Sequence, residues 1–159
     1  MLAAITMAAL WAFAMVPMDG RAASETPLFK DYQVAEVRPF EVPQNVTAPS
    51  SAGPVIADEI VVQIGRYNAK FNLFEMVILE GAQKVPSDKK VLLVKGTVTV
   101  YTQQGTCAVH CQFVDKASGQ VLQETDAKGF RFRVASYIAK VIYQNKVENK
   151  KEKEKEYED

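Results

Sequence analysis

Apolar residues recur along this chain with two different spacings, and each spacing predicts one type of secondary structure. Between Pro54 and Phe71 they recur every three to four residues, which is typical of one face of a helix. That face consists of Ile56, Ala57, Ile60, Val61, Ile64 and Phe71. We expect it to pack in the core, with Gly65 marking a close approach to the sheet. Phe130 to Asn145 repeats the spacing and predicts a second helix.

Runs rich in β-branched and aromatic residues predict five strands. They span Tyr32 to Val42, Phe74 to Glu80, Val91 to Gln103, Thr106 to Asp115 and Gln120 to Thr125. Short turns at 104–105 and 116–119 join the last three into a meander of hairpins. The sequence therefore predicts an α/β fold with a mixed sheet of about five strands, in the order β-α-β-β-β-β-α. We expect the helices to pack on one face of that sheet.

The first 18 residues carry no charge, and small residues at Gly20 and Ala22 follow them. An apolar run followed by small residues and a polar stretch predicts a secretory signal peptide over residues 1–22. Cleavage there would leave a single α/β domain over residues 23–145, in the periplasm or secreted. About 18 apolar residues could also span a bilayer, so an uncleaved anchor is the alternative. No cysteine lies near the junction, which argues against a lipid-modified amino terminus.

The segment 146–159 is almost entirely charged or polar and has only Val147 and Tyr157 as apolar residues. Such a composition lacks the apolar surface that packing against a core requires. We therefore predict a solvated charged extension, with a helix that binds a partner as the alternative.

Charge and hydropathy exclude several classes of partner. The chain has 19 basic and 19 acidic residues, so it lacks the positive excess with which nucleic-acid-binding proteins neutralise phosphates. We expect no nucleic-acid partner. After signal cleavage no segment is long enough to span a bilayer, and no basic amphipathic face favours the membrane surface.

Two cysteines in an exported protein raise the question of a disulfide. Cys107 and Cys111 lie four residues apart on a predicted strand, which separates their α-carbons by roughly 13 Å. A disulfide needs about 7 Å or less, so it would require a bulge or a sharp bend. Two buried thiols and one disulfide both remain compatible with the sequence.

Cys107, His110 and Cys111 are the candidates for redox, hydrolytic or metal chemistry. Strand alternation places His110 on the opposite face from both cysteines. His110 is the only histidine, no Gly-x-Ser-x-Gly elbow is present, and four ligands for a structural zinc are lacking. Seven carboxylates at predicted strand edges and turns are interpreted as solvated: Glu36, Glu41, Glu75, Glu80, Asp115, Glu124 and Asp126. We therefore assign no catalytic, metal-binding or cofactor-binding residue.

The layout of the chain resembles a bacterial exported family known only as a domain of unknown function. The similar segments are 37–42 (Val-Arg-Pro-Phe-Glu-Val), 56–60, 74–77, 94–98 and 114–122. This layout is also similar to those of the curli-secretion lipoprotein and of the amino-terminal domain of the Tol-Pal translocation protein. Members of the family are often lipoproteins, whereas this chain has no lipid-accepting cysteine. The resemblance transfers no catalytic residue.

These observations favour an exported, non-catalytic binding or envelope-assembly accessory protein that acts through contacts with a protein of the cell envelope. The alternative is a small periplasmic redox or hydrolytic enzyme that uses Cys107, His110 and Cys111. The identity of the partner and the oligomeric state do not follow from the sequence.

Overall fold

A computed structural model describes residues 26–147. The predicted signal peptide and most of the charged extension lie outside the described residues. The elements are β1 (Val34–Val37), α1 (Ala52–Phe71), β2 (Met76–Leu79), β3 (Val91–Tyr101), β4 (Thr106–Asp115), β5 (Val121–Phe130) and α2 (Arg131–Val147). The predicted α/β fold and element order are confirmed.

The five strands form one mixed sheet in the order β2-β1-β3-β4-β5. β1 runs parallel to both of its neighbours, and β3, β4 and β5 form the predicted antiparallel meander. β1 is shorter than predicted because Pro39 has no N–H to donate to the ladder. Its chain nevertheless keeps following β3, since the amide of Glu41 donates to the carbonyl oxygen of Gly96 at 2.9 Å.

Both helices pack against the same face of the sheet and against each other. In β4, alternation directs four buried side chains into this core: Cys107, Val109, Cys111 and Phe113. Helix α1 contributes Ile56, Ile60 and Ile64, and α2 contributes Val134, Ile138 and Ile142. The prediction that the helices pack on one face of the sheet is confirmed. The other face of the sheet, which we call the open face, carries His110 and its neighbours.

Phe40 lies in a cradle formed by two glycines from different elements. A Cβ at Gly53 would lie 1.9 Å from the carbonyl oxygen of Phe40. A Cβ at Gly96 would lie 2.6 Å from the Phe40 ring and 2.3 Å from the carbonyl oxygen of His110. The prediction that Gly65 marks a close approach to the sheet is wrong, because nothing lies within 4 Å of a Cβ built at this residue.

The two ends of the described chain meet at one end of the domain. The amide of Phe29 donates to the carbonyl oxygen of Asn145 at 2.8 Å. Lys146 donates to the carbonyl oxygens of Lys30 and Tyr32, and its ammonium lies 4.8 Å from the centroid of the Phe74 ring. Helix α2 thus extends through Val147, two residues beyond its predicted end. Within residues 26–147, no helix is both long enough and apolar enough to cross a membrane.

Candidate functional site

The three residues proposed for chemistry lie on two sides of the sheet. Cys107 and Cys111 point toward the helices and are fully buried free thiols, whereas His110 points to the open face. Burial raises the pKa of both thiols above the ordinary value, so the nucleophilic thiolate is disfavoured. The structure therefore has two buried thiols and no bridge between them. It does not bring the cysteines and the histidine into one site.

His110 lies between two carboxylates of β5. Its Nδ1 is 2.8 Å from an oxygen of Asp126, and its Nε2 is 3.5 Å from an oxygen of Glu124. The hydrogen bond to Asp126 is the main reason why the pKa of His110 is raised above 6.5. Because a carboxylate faces each ring nitrogen, neither nitrogen is directed at a hydroxyl or thiol, as a general base would need. Among residues 26–147, no group of three or more His, Cys, Asp or Glu side chains is arranged to hold a metal ion.

One of the seven carboxylates departs from the solvated position that we predicted. Glu36 is 1% exposed on the open face, where strand alternation places it beside Leu93 and Ile78. The ammonium of Lys116 lies 2.7 Å and 2.8 Å from its two carboxylate oxygens. Glu36 is therefore a buried charge that is held in place by an ion pair.

Other charges of the open face are also paired. The guanidinium of Arg38 donates to both carboxylate oxygens of Glu80, and these hydrogen bonds lower the pKa of Glu80. The amide of Gln112 donates to Glu124 at 2.6 Å. These polar groups of the open face are thus already bonded to one another, and a partner would have to displace existing bonds to use them.

Apart from the open face of the sheet, the domain has a groove between the carboxyl-terminal halves of α1 and α2. It has a volume of about 380 Å³ and is lined by Gln63, Arg66, Tyr67, Lys70, Phe71, Lys140, Tyr143 and Gln144. We call it the helix groove.

Three aromatic rings form the apolar part of the helix groove. The ring centroids of Phe71 and Tyr143 are 4.6 Å apart, those of Tyr67 and Tyr143 are 5.4 Å apart, and those of Tyr67 and Phe71 are 6.2 Å apart. Tyr67 and Phe71 are neighbours because residues four apart share one face of a helix. Phe71 is 40% exposed, so a substantial part of its apolar ring is open to contact.

Three cations stand beside these rings. Arg66 and Lys70 come from α1 and Lys140 from α2, and the ammonium of Lys70 lies 5.0 Å from the centroid of the Phe71 ring. The lining includes no carboxylate. In the described part of the chain, none of the three cations has a carboxylate oxygen within 4.0 Å. The helix groove is therefore aromatic in its middle and positively charged around it.

The pattern of residues along the chain did not predict this groove. Phe71 was predicted to belong to the core face of α1, which is wrong because that face ends at Ile64 and Phe71 lies outside the core. The local signal was the aromatic pair Tyr67 and Phe71, each preceded by a cation. Tyr143 joins them only through the packing of the two helices, which no local pattern shows.

Comparisons with known proteins find similarity to solved structures alone. No protein-family model matches the chain, and a comparison with curated proteins finds no relative. Two crystal forms of the PelC dodecamer from Paraburkholderia phytofirmans are 14% and 13% identical, with TM-scores of 0.48 and 0.47. They cover 75% and 78% of this chain and 90% and 94% of PelC.

Two further bacterial proteins show weaker similarity. A homologue of the neuraminyllactose-binding hemagglutinin from Helicobacter pylori is 12% identical, with a TM-score of 0.40 over 73% of this chain and 78% of its own. Lipoprotein GNA1162 from Neisseria meningitidis is 12% identical, with a TM-score of 0.36 over 60% of this chain and 78% of its own. Neither the curli-secretion lipoprotein nor the Tol-Pal domain is among these structures. Likeness at these scores assigns no function.

Proposed function

We propose that this chain is an exported, non-catalytic envelope protein that binds a protein partner through the helix groove. The observation that carries the proposal is the partly exposed aromatic cluster of Tyr67, Phe71 and Tyr143 with three cations beside it. Aromatic residues and arginine are enriched at the centres of protein interfaces, where large rigid rings bury much area at a low cost in entropy. The uncharged run of residues 1–18 supports the exported location.

Thiol labelling tests the enzyme alternative. A redox or hydrolytic function of Cys107 and Cys111 requires at least one thiol that a reagent can reach. We expect both thiols to resist Ellman's reagent in the native protein and to react fully in urea. Rapid labelling of either cysteine in the folded chain would favour the enzyme.

Site-specific photo-crosslinking tests the groove as the contact surface. A benzoylphenylalanine at Tyr67 should give a discrete protein adduct in intact cells, whose partner is then identified by mass spectrometry. The same photoprobe at Lys128, an exposed residue of β5, provides the matched control and should not give that adduct. Adducts at Lys128 and none at Tyr67 would move the contact surface to the sheet.

The position of the amino terminus tests whether the protein is exported and cleaved. Amino-terminal sequencing of the protein from the periplasmic or secreted fraction should show a chain that begins at or near Ala23. Material that still begins at Met1 would favour the uncleaved anchor.

A further inference from the structure

We infer that the helix groove binds an acidic segment of the partner that inserts one aromatic or large apolar side chain between Tyr67, Phe71 and Tyr143. This inference rests on the proposed function and adds the chemistry of the segment that the groove selects. It follows from the charge and the shape of the groove together.

The charges of the groove select an anionic occupant. Arg66 and Lys70 are four residues apart on α1, and like charges at that spacing repel each other. Lys140 adds a third positive charge from the other helix. A partner that brings carboxylates relieves this repulsion, whereas a basic segment increases it.

The open face differs from the groove because several of its cations are already paired with carboxylates. On the open face, Arg38 is paired with Glu80, Lys116 with Glu36 and His110 with Asp126. An acidic segment would have to compete with those carboxylates there. In the groove, no described carboxylate occupies the corresponding positions around the cations.

The aromatic cluster accounts for the other feature of the proposed segment, which is its aromatic or large apolar side chain. Aromatic pairs with centroids about 4.5–7 Å apart attract each other beyond the area they bury, and the three rings already lie at such distances. A volume of about 380 Å³ is near the small end of the range for ligand sites. It therefore suits a single anchoring side chain better than a whole helix.

Fluorescence anisotropy with three labelled nonapeptides tests the inference on the full chain. The first probe has eight Glu and Asp residues around a central Trp, the second replaces Trp with Ala, and the third replaces the acids with Lys. We expect the first probe to bind, the second to bind at least about tenfold more weakly, and the third not to bind. Binding of the first probe should weaken with added salt, because the ion pairs are exposed.

Variants place the binding in the groove. Lys70→Glu with Lys140→Glu should weaken binding of the first probe by at least about tenfold, and Phe71→Ala should do so by a similar factor. Lys128→Glu on the open face is the control for charge and should change the affinity less than about twofold. Unchanged melting temperatures would show that each variant is folded. Tyr143→Ala is the second test of the aromatic cluster if Phe71→Ala fails to fold.

Three results would overturn the inference. The first is the absence of binding by the acidic probe, and the second is binding that the groove variants leave unchanged. The third is tighter binding once residues 148–159 are removed, since the acidic stretch around Tyr157 would then be the natural occupant. If either of the first two results is obtained but the photo-crosslink at Tyr67 still forms, the proposed function is retained and only this inference is wrong. Loss of both the adduct and the binding would remove the proposed function as well.

Discussion

Lys116 and Glu36 lie 80 residues apart in the sequence and form an ion pair in which one ammonium contacts both carboxylate oxygens. Glu36 is buried in β1, while the side chain of Lys116 is 40% exposed just after β4. The pair joins one of the three parallel strands to the antiparallel meander. A buried carboxylate without a partner is costly, so this contact makes the stability of the sheet depend on one lysine.

Lys116→Met should lower the free energy of unfolding by about 2 kcal/mol or more, because it leaves the Glu36 carboxylate buried and unpaired. Urea denaturation measures the loss. Lys128→Met removes an exposed lysine of the same sheet face and should change stability by less than about 0.5 kcal/mol. Adding Glu36→Leu to Lys116→Met should restore most of the loss. Equal effects of the two lysine variants would contradict the role of the pair.

Val109→Asp and His110→Ala change neighbouring residues that point to opposite faces of β4. Val109 is 2% exposed among the helices, so the new carboxylate would lack a partner. We expect a loss of more than about 4 kcal/mol, which is enough to unfold many domains of this size. His110→Ala should cost less than about 1 kcal/mol, because its ion pairs are exposed. A tolerated Val109→Asp with a severe His110→Ala would reverse the assignment of the two faces.

Titration of His110 by NMR should give a midpoint above 6.5, because the hydrogen bond to Asp126 favours the protonated ring. A pKa raised by folding stabilises the fold at pH values below the unfolded value. This stabilisation disappears as the pH rises through the folded pKa. It should be below about 1 kcal/mol at this exposed site.

Asp126→Asn should lower the His110 midpoint more than Glu124→Gln does, because Asp126 makes the shorter contact with the ring. The chain has one histidine, so its ring signal is unambiguous. A midpoint at or below 6.5 in the native chain would contradict the geometry.

Gly96→Ala and Gly65→Ala add the same methyl group in opposite environments. At Gly96 the methyl would meet a backbone oxygen at 2.3 Å and the Phe40 ring at 2.6 Å, so we expect a loss of at least about 2 kcal/mol. At Gly65 it meets nothing within 4 Å and replaces a poor helix former, which should add up to about 1 kcal/mol. Thermal denaturation compares the two. A destabilising Gly65→Ala would show that α1 has a close neighbour at this position.

Two truncations define where the packed chain ends. Removing residues 148–159 should leave stability within about 0.5 kcal/mol, because that segment has too little apolar surface to pack. Removing residues 146–159 also deletes Lys146, which donates to the carbonyl oxygens of Lys30 and Tyr32, and should cost about 1–2 kcal/mol more. Equal stabilities would show that Lys146 contributes nothing. A large loss from the shorter truncation would mean that residues 148–159 pack on the domain.

The hydrophobic periodicity of the sequence predicted which side chains share a face of a strand or of a helix. Strand alternation placed Cys107 and Cys111 on one face of β4 and His110 on the other, as the structure has them. The spacing from Ile56 to Ile64 placed α1 against the sheet. In contrast, the parallel pairing of β1 with β2 and β3 depends on which edge a returning strand joins, and no local pattern records that choice.

The helix groove shows a second limit of prediction from the sequence. Tyr67 and Phe71 were visible as a pair on α1, but Tyr143 lies on a different helix and meets them only after both helices have packed. The burial of Glu36 was not predictable for the same reason, since its partner Lys116 lies 80 residues away in the sequence. A site whose residues come from distant segments of the chain can be recognised only when the tertiary structure is known.

The cradle around Phe40 also bears on how relatives of this chain can be found. Gly53 and Gly96 cannot accept a side chain without displacing backbone, because Gly53 lies against the backbone of Phe40 and Gly96 lies against its ring and the backbone of His110. An aromatic residue followed by two glycines at these spacings is therefore a compact signature, which selection should preserve after most other positions have diverged.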